Sequence, residues 1–325
     1  MQSNTSEAKA TLAWTRKFNW RQYIVYIAFI VVFAYFAITL NSDGFLTSNN
    51  IMNIVRQTAI ISIMAVAMTF VISAAEIDLS VGSIAALASL TSALALEHGY
   101  GIMGAIVAGL GTGLVIGTVN GWLVTKVSIP SFLVTLGMMG IAKGFAMWIT
   151  DTAPVPILND HFSYIFGSGD IGKIPVLLIW TLVIAVIGHV VLRKTTFGRR
   201  TLATGGNQNA ARFSGVNVAR TKLMVLAASG LVAGLAGMLY AGRMHSGRFT
   251  FGEGDELSVI AAVILGGTSL FGGVGTVVGT VIGSLMIGTI NNGLIIMGLD
   301  VSQQMIIKGL IIILAVAFGR KAVNK

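Results

Sequence analysis

The stretch AEIDLSVGS, Ala75–Ser83, sets Glu76 and Asp78 between two apolar runs that carry no charge. Before it stands AIISIMAVAMTFVISA, 59–74, and after it IAALASLTSALAL, 84–96. With their flanking residues they extend to expected helices near 51–74 and 79–97, about the 20 residues that a helix needs to cross roughly 30 Å of hydrocarbon. The two carboxylates therefore mark a join between two membrane helices, and the rest of the chain repeats the same kind of run.

The 325 residues are 55% hydrophobic and 10% charged, and the mean hydropathy is +0.85. A soluble domain of this length carries about 25% charged residues, so the sequence is that of an integral membrane protein. It has no Cys, which excludes disulfides, thiolate metal sites and a Cys nucleophile. His98, His161, His189 and His245 are scattered and form no metal-binding spacing. The N-terminal 20 residues are polar and lack the pattern of a cleaved signal, so the first apolar run is expected to stay in the membrane.

Ten helices are expected, near 22–40, 51–74, 79–97, 101–126, 131–150, 174–192, 222–242, 257–270, 274–291 and 302–318. The eighth is short and shares a glycine-rich turn with the ninth. The net charge of +9 reads as topology and not as nucleic-acid binding, because basic residues collect in cytoplasmic loops. With the N-terminus inside, Lys9, Arg16, Lys17 and Arg21 lie inside, as do Lys126, the basic residues of the loop around 193–222, and Arg320, Lys321 and Lys325. These are 15 of the 21 basic residues, so both termini are expected in the cytoplasm.

Glycines recur at intervals of four: Gly109, Gly113, Gly117 and Gly121, then Gly230 and Gly234, then Gly275, Gly279 and Gly283. Residues four apart share a helix face, and small residues there let helix backbones approach closely. The stripes serve either packing within the chain or a dimer seam. GSGDIGKI, 167–174, imitates a phosphate loop but lacks the terminal hydroxyl, is followed by Pro175 and falls outside. The inner loop contains Asn207, a natural helix cap, then QNAARFS, 208–214, and Gly215, suited to a left-handed helix end. A short exposed helix there could dock a partner; the flanking Arg193, Lys194, Arg199 and Arg200 could instead hold anionic lipid.

IDLSVGS (77–83), TTFGR (195–199), GGNQNAARFSGVNVARTK (205–222) and IAAVILGGTSLFGGVGTVVGTVIGSLMIGTINNGL (260–294) together resemble the ribose-type permeases of bacterial ABC importers. The likeness covers roughly 50–320. It implies an all-α permease, multi-pass in the bacterial cytoplasmic (inner) membrane, that moves a neutral monosaccharide or small polyhydroxy compound inward. The permease domain would be 22–318, with cytoplasmic tails 1–21 and 319–325 and a coupling loop 193–221. A second permease copy, an ATP-binding cassette subunit and a periplasmic or extracellular sugar-binding protein would be its partners. The chain itself would carry no catalytic residue, metal or cofactor, ATP being held by the partner subunit. Asn209, Ala210, Ala211, Arg212, Ser214 and Gly215 would form the coupling helix.

Under this resemblance Glu76, Asp78, Ser80 and Gly82 form a helix break. Asp78 is placed to cap a helix starting near Leu79, and both charges suit its positive end. The break is either an interfacial turn or a polar hinge at the inner mouth of a pathway. Asn120, Asn291 and Asn292 are candidate pathway residues or interhelical hydrogen-bonding groups. Lys143 and Lys308 are functional candidates unless they snorkel to a boundary. The outer loops 151–173 and 243–256, with Arg243 and Arg248, are expected to meet the binding protein. An ion-coupled secondary transporter would want mid-span carboxylates, which appear nowhere outside AEIDL, and no nucleophile–base pair supports a membrane enzyme.

Overall fold

An α-helix satisfies all its own backbone polar groups, which is what an apolar surrounding demands of a chain. The apolar runs accordingly form helices in the computed structural model, which describes residues 24–321. In chain order these are α1 Ile24–Thr39, α2 Ser48–Ser73, α3 Val81–Glu97, α4 Gly101–Trp122 and α5 Ser131–Trp148. A one-turn α6, Asp160–Ser163, precedes α7 Val176–Lys194, α8 Thr196–Gly206, α9 Gln208–Phe213 and α10 Val218–Met244. Then come α11 Asp255–Leu265, α12 Val277–Ile296 and α13 Val301–Lys321. Among the described residues, six helices are long and apolar enough to cross a membrane: α2, α4 with its continuation to Val127, α5, α7, α10 and α12.

A helix stands at each of the ten expected positions, with shifted ends. α3 starts at Val81 and not near 79. α11 stops at Leu265, five residues before the expected end, because Gly267 turns the chain with φ +90°. α10 starts at Val218, four residues before the expected start at 222, which draws Arg220 out of the expected loop and sets Lys222 one turn inside the helix. Asn217 makes this possible: its side chain accepts from Arg220 N at 2.9 Å. The tail 1–21 and the basic residues Lys9, Arg16, Lys17, Arg21 and Lys325 lie outside the described residues, as do the side chains of Lys308, Arg320 and Lys321.

The glycine stripes are used within the chain. A Cβ on Gly113 would strike the Gly230 carbonyl, and one on Gly230 would strike that of Gly113. Gly117 meets Leu226 and Gly230, and Gly121 meets Leu223, so α4 and α10 touch backbone to backbone over about three turns. Gly279 and Gly283 of α12 lie likewise against Gly266 and Ala262 at the end of α11. α2 runs through the core and joins α12 by hydroxyl pairs, Ser62–Ser284 at 2.5 Å and Thr69–Thr280 at 2.9 Å.

At one end of the bundle the loops are folded. β1 (Val155–Pro156) pairs antiparallel with β4 (Ser246–Gly247). β2 (Asp170–Ile171) and β3 (Ile174–Pro175) form a hairpin, and this is what the phosphate-loop imitation folds into. Arg56 of α2 closes on Asp170 at 2.7 Å. At the other end the turn after α11 meets the end of α2, where Gly273 N donates to Ser73 O at 3.0 Å.

The α4–α10 seam gives an internal comparison. Gly111 of α4 has open space where a Cβ would stand, while Gly113 does not. Gly113→Val should lower stability by about 1–3 kcal/mol, the usual effect of overpacking, and Gly111→Val should leave it nearly unchanged. Thermal unfolding of both variants in detergent checks this, and equal behaviour would show that the seam does not hold the bundle.

Candidate functional site

α2 ends at Ser73, and Ala75 turns the chain with φ 59°. Residues 76–80 then run without helical structure until α3 begins. Their backbone groups have lost helical partners and take side-chain ones. Ile77 N donates to Ser131 Oγ at 3.1 Å, and Ile77 O accepts from Thr135 Oγ1 at 3.3 Å, both from the first turns of α5. Glu76 N still reaches Val71 O at 3.1 Å.

Asp78 is fully buried. Its Oδ1 accepts from Ser80 N at 3.0 Å and from Ser80 Oγ at 2.6 Å, and its Oδ2 accepts from Ser229 Oγ of α10 at 2.8 Å. Asn120 of α4 donates through Nδ2 to Ser80 Oγ at 3.0 Å. The expected cap of a helix at Leu79 is thereby corrected. The helix starts two residues later, and Asp78 instead closes a short turn onto the amide two residues on, a common aspartate motif. Ser229 stands 11 residues into α10, about 16 Å along its axis at 1.5 Å per residue. The break therefore lies well inside the bundle, not at its edge. Gly82 is needed because a Cβ there would meet the Gly252 carbonyl and Glu256 of the chain descending into α11.

Glu76 forms an ion pair with Lys222 of α10 at 2.5 Å, with side chains 7% and 16% exposed. Lys222 Nζ also donates to Gln208 Oε1 of α9 at 3.2 Å. Residues seven apart share a helix face, so Lys222 and Ser229 of α10 face the break together. Glu76 and Asp78 thus meet Lys222 and Ser229 as a matched pair of grips. Counting charges assigned Lys222 to topology; only its position one turn into a helix reveals its partner.

α9 lies at the end of the bundle that holds the α11–α12 turn. Asn207 Oδ1 accepts from Ala210 N at 2.9 Å, and Gly215 closes the helix with φ 80°. Ala211 packs inward, while Asn209, Ala210, Arg212, Ser214 and Gly215 are exposed. Phe213 is 93% exposed. The sequence reading omitted Phe213, although a lone aromatic in QNAARFS was a usable signal. α8 carries this helix on a firm base: Thr195 caps it, Phe197 stacks on Phe70 of α2, and Gly205 lies against the Ser73 backbone.

The three candidate asparagines are not brought together. Asn120 belongs to the break. Asn292 exchanges two hydrogen bonds with Asn50 of α2, at 2.9 and 2.8 Å, and so clamps α2 to α12. Asn291 is half-buried, and its Oδ1 has no hydrogen-bond partner. Lys143 pairs with Glu253 at 2.8 Å. Arg243, expected on the outer docking surface, is half-buried and donates to Arg56 O at 3.1 Å; Arg248 is exposed. Among the described residues no cluster of His, Asp or Glu could hold a metal ion.

Residues 50–316 match the family described as branched-chain amino acid transport system / permease component. The ribose import permease protein RbsC of Bacillus subtilis (strain 168) is 44% identical over 87% of this chain and 88% of its own length. The protein of the same name from Escherichia coli (strain K12) is 40% identical, over 91% of this chain and 92% of its own. The D-allose transport system permease protein AlsC of Escherichia coli (strain K12) is 36% identical, over 97% and 98%. No solved structure matches.

Asp78 separates charge from hydrogen bonding. Asp78→Asn keeps an oxygen for Ser80 and offers Ser229 a donor, so most stability should survive. Asp78→Leu strands the Ser80 N–H and two hydroxyls, each unsatisfied buried group costing about 1–3 kcal/mol. Folded yield and melting in detergent should fall sharply for Leu and little for Asn. Equal loss in both would show that the negative charge itself is required.

Proposed function

We infer, from the premise that this chain belongs to the family of branched-chain amino acid transport system / permease components, that it is the permease subunit of an ABC importer for monosaccharides. The family description names amino acids, but the relatives that match nearly end to end at 36–44% identity include ones named for ribose and D-allose. That likeness over almost the whole chain is the observation that carries the reading. A neutral, hydroxyl-rich solute suits it, because both acids of the break are already engaged, Glu76 by Lys222 and Asp78 by serines.

The finer reading places ten spans in a bacterial cytoplasmic membrane, with both termini inside. Two copies form the pathway, and ATP is hydrolysed on a separate cassette subunit. α9 is its docking helix, and the support is its build: a capped six-residue helix anchored by the buried Ala211, with Asn209, Arg212, Phe213 and Ser214 exposed on its outer side. The opposite end takes a sugar-binding protein, where Leu158 is 90% exposed and Arg248 is free of the fold's own ion pairs among the described residues.

The test is uptake of labelled D-ribose into proteoliposomes holding the chain and its ATP-binding subunit, with the binding protein outside. With ATP enclosed and ion gradients collapsed, uptake should continue; dependence on an ion gradient alone would make the chain a secondary transporter. Phe213→Ala should cut co-purification of the ATP-binding subunit about ten-fold or more, as loss of a central aromatic anchor does. Gly215→Val should act in the same direction, since a β-branched residue resists φ 80°. Normal complexes in both variants would return α9 to a lipid-facing role.

A further inference from the structure

Four polar groups stand in one line across three elements. Gln208 begins α9, Lys222 lies in the first turns of α10, Glu76 opens the break, and Asp78 sits two residues further in. Gln208 accepts from Lys222, Lys222 pairs with Glu76, and Ser229 on the same face of α10 donates to Asp78. We propose that Lys222 is a positioning residue for transport, linking the docking helix α9 to the helix break so that displacement of α9 is delivered to residues 76–80. The proposal rests on the reading of α9 as the docking site for the ATP-binding subunit.

The physical reason lies in how each part is fastened. α10 is locked to α4 by glycine-to-glycine backbone contact, so its inner end moves with α4 or not at all. Residues 76–80 carry no glycine; beside the bond from Glu76 N to Val71 O, side chains of α4, α5 and α10 hold them. An ion pair only 7% and 16% exposed is strong, because the alternative for either charge is burial without a partner. A lysine is also long enough to hold two acceptors on different elements, here Gln208 and Glu76. The bland alternative is that Lys222 merely neutralises a buried carboxylate. The two differ in what happens when both charges are removed together.

Glu76→Gln with Lys222→Met removes the buried charges as well as the link, so folding is protected while the connection is cut. Lys222→Met alone leaves Glu76 unpaired and reports the cost of that. Each variant is reconstituted with the ATP-binding subunit and binding protein, and three quantities are read: co-purification, ATP hydrolysis stimulated by the ribose-loaded binding protein, and ribose taken up per ATP. The double variant should assemble and hydrolyse ATP, while uptake per ATP falls about ten-fold, within the range of ordinary coupling energies. A double variant with wild-type uptake per ATP overturns the inference and leaves α9 docking intact. Loss of co-purification in the double variant also overturns it, making Lys222 part of the docking surface. If the unaltered chain binds no ATP-binding subunit, the docking reading itself falls, and this inference with it.

Discussion

A peptide that leaves helical geometry inside an apolar bundle must find other partners for its N–H and C=O groups. Residues 76–80 impose that demand, and the positions of three neighbouring helices answer it. Ser131 and Thr135 in the first turns of α5 satisfy Ile77. Asn120 of α4 and Ser229 of α10 complete the Ser80–Asp78 pair. Hydroxyls take the place of helical partners here and serve as donors and acceptors alike. Asp78 is the economical choice for this turn, because one carboxylate accepts from an amide and two hydroxyls at once.

α10 serves two neighbouring faces. One carries Leu226, Gly230 and Gly234 against α4, the other Lys222 and Ser229 against the break. Residues four apart are offset by only about 40° around a helix, so these faces adjoin. That arrangement puts a polar grip beside a backbone seam on one rigid element. It also explains why residues spaced through the chain recur in the same contacts. Gly82 admits the chain entering α11, and Gly205 admits the end of α2.

The approximate positions of the apolar helices were legible because runs of apolar residues are their own signal. The glycine stripes were legible as close-packing faces, and the structure assigns the largest to α4–α10 within one chain. α9 was legible too, since Asn207 and Gly215 are local signals that need no tertiary contact. What escaped the sequence was pairing at a distance. Lys222 opened an expected helix and counted only as an inner charge; the cap at Asn217 sets it one turn inside α10, against Glu76. Asn292 stood open between a pathway residue and an interhelical hydrogen-bonding group, because its partner, Asn50, is 242 positions away. That Arg243 donates to the Arg56 carbonyl could not be seen, because that carbonyl belongs to another helix. Asp78 was read as a helix cap from proximity alone, and the turn onto Ser80 depends on Ala75 and Ser229, which fix how the chain enters and what it meets.

Two kinds of joint follow, and they differ in what motion they allow. Where backbones touch through glycines, a shift of one ångström opens a void or forces a clash, because packed interiors have little slack. Such seams rotate or translate as bodies. Where side chains span the gap, as at Glu76–Lys222 or Asn50–Asn292, rotamers can follow a shift of that size and keep their hydrogen bonds. The α4–α10 and α11–α12 pairs are joints of the first kind, and residues 76–80 are held by the second. Where α2 gives way to α3, the chain is held chiefly by the second kind. That is also where Glu76 and Asp78 sit, since a joint fastened by side chains needs charges and hydroxyls to be fastened at all.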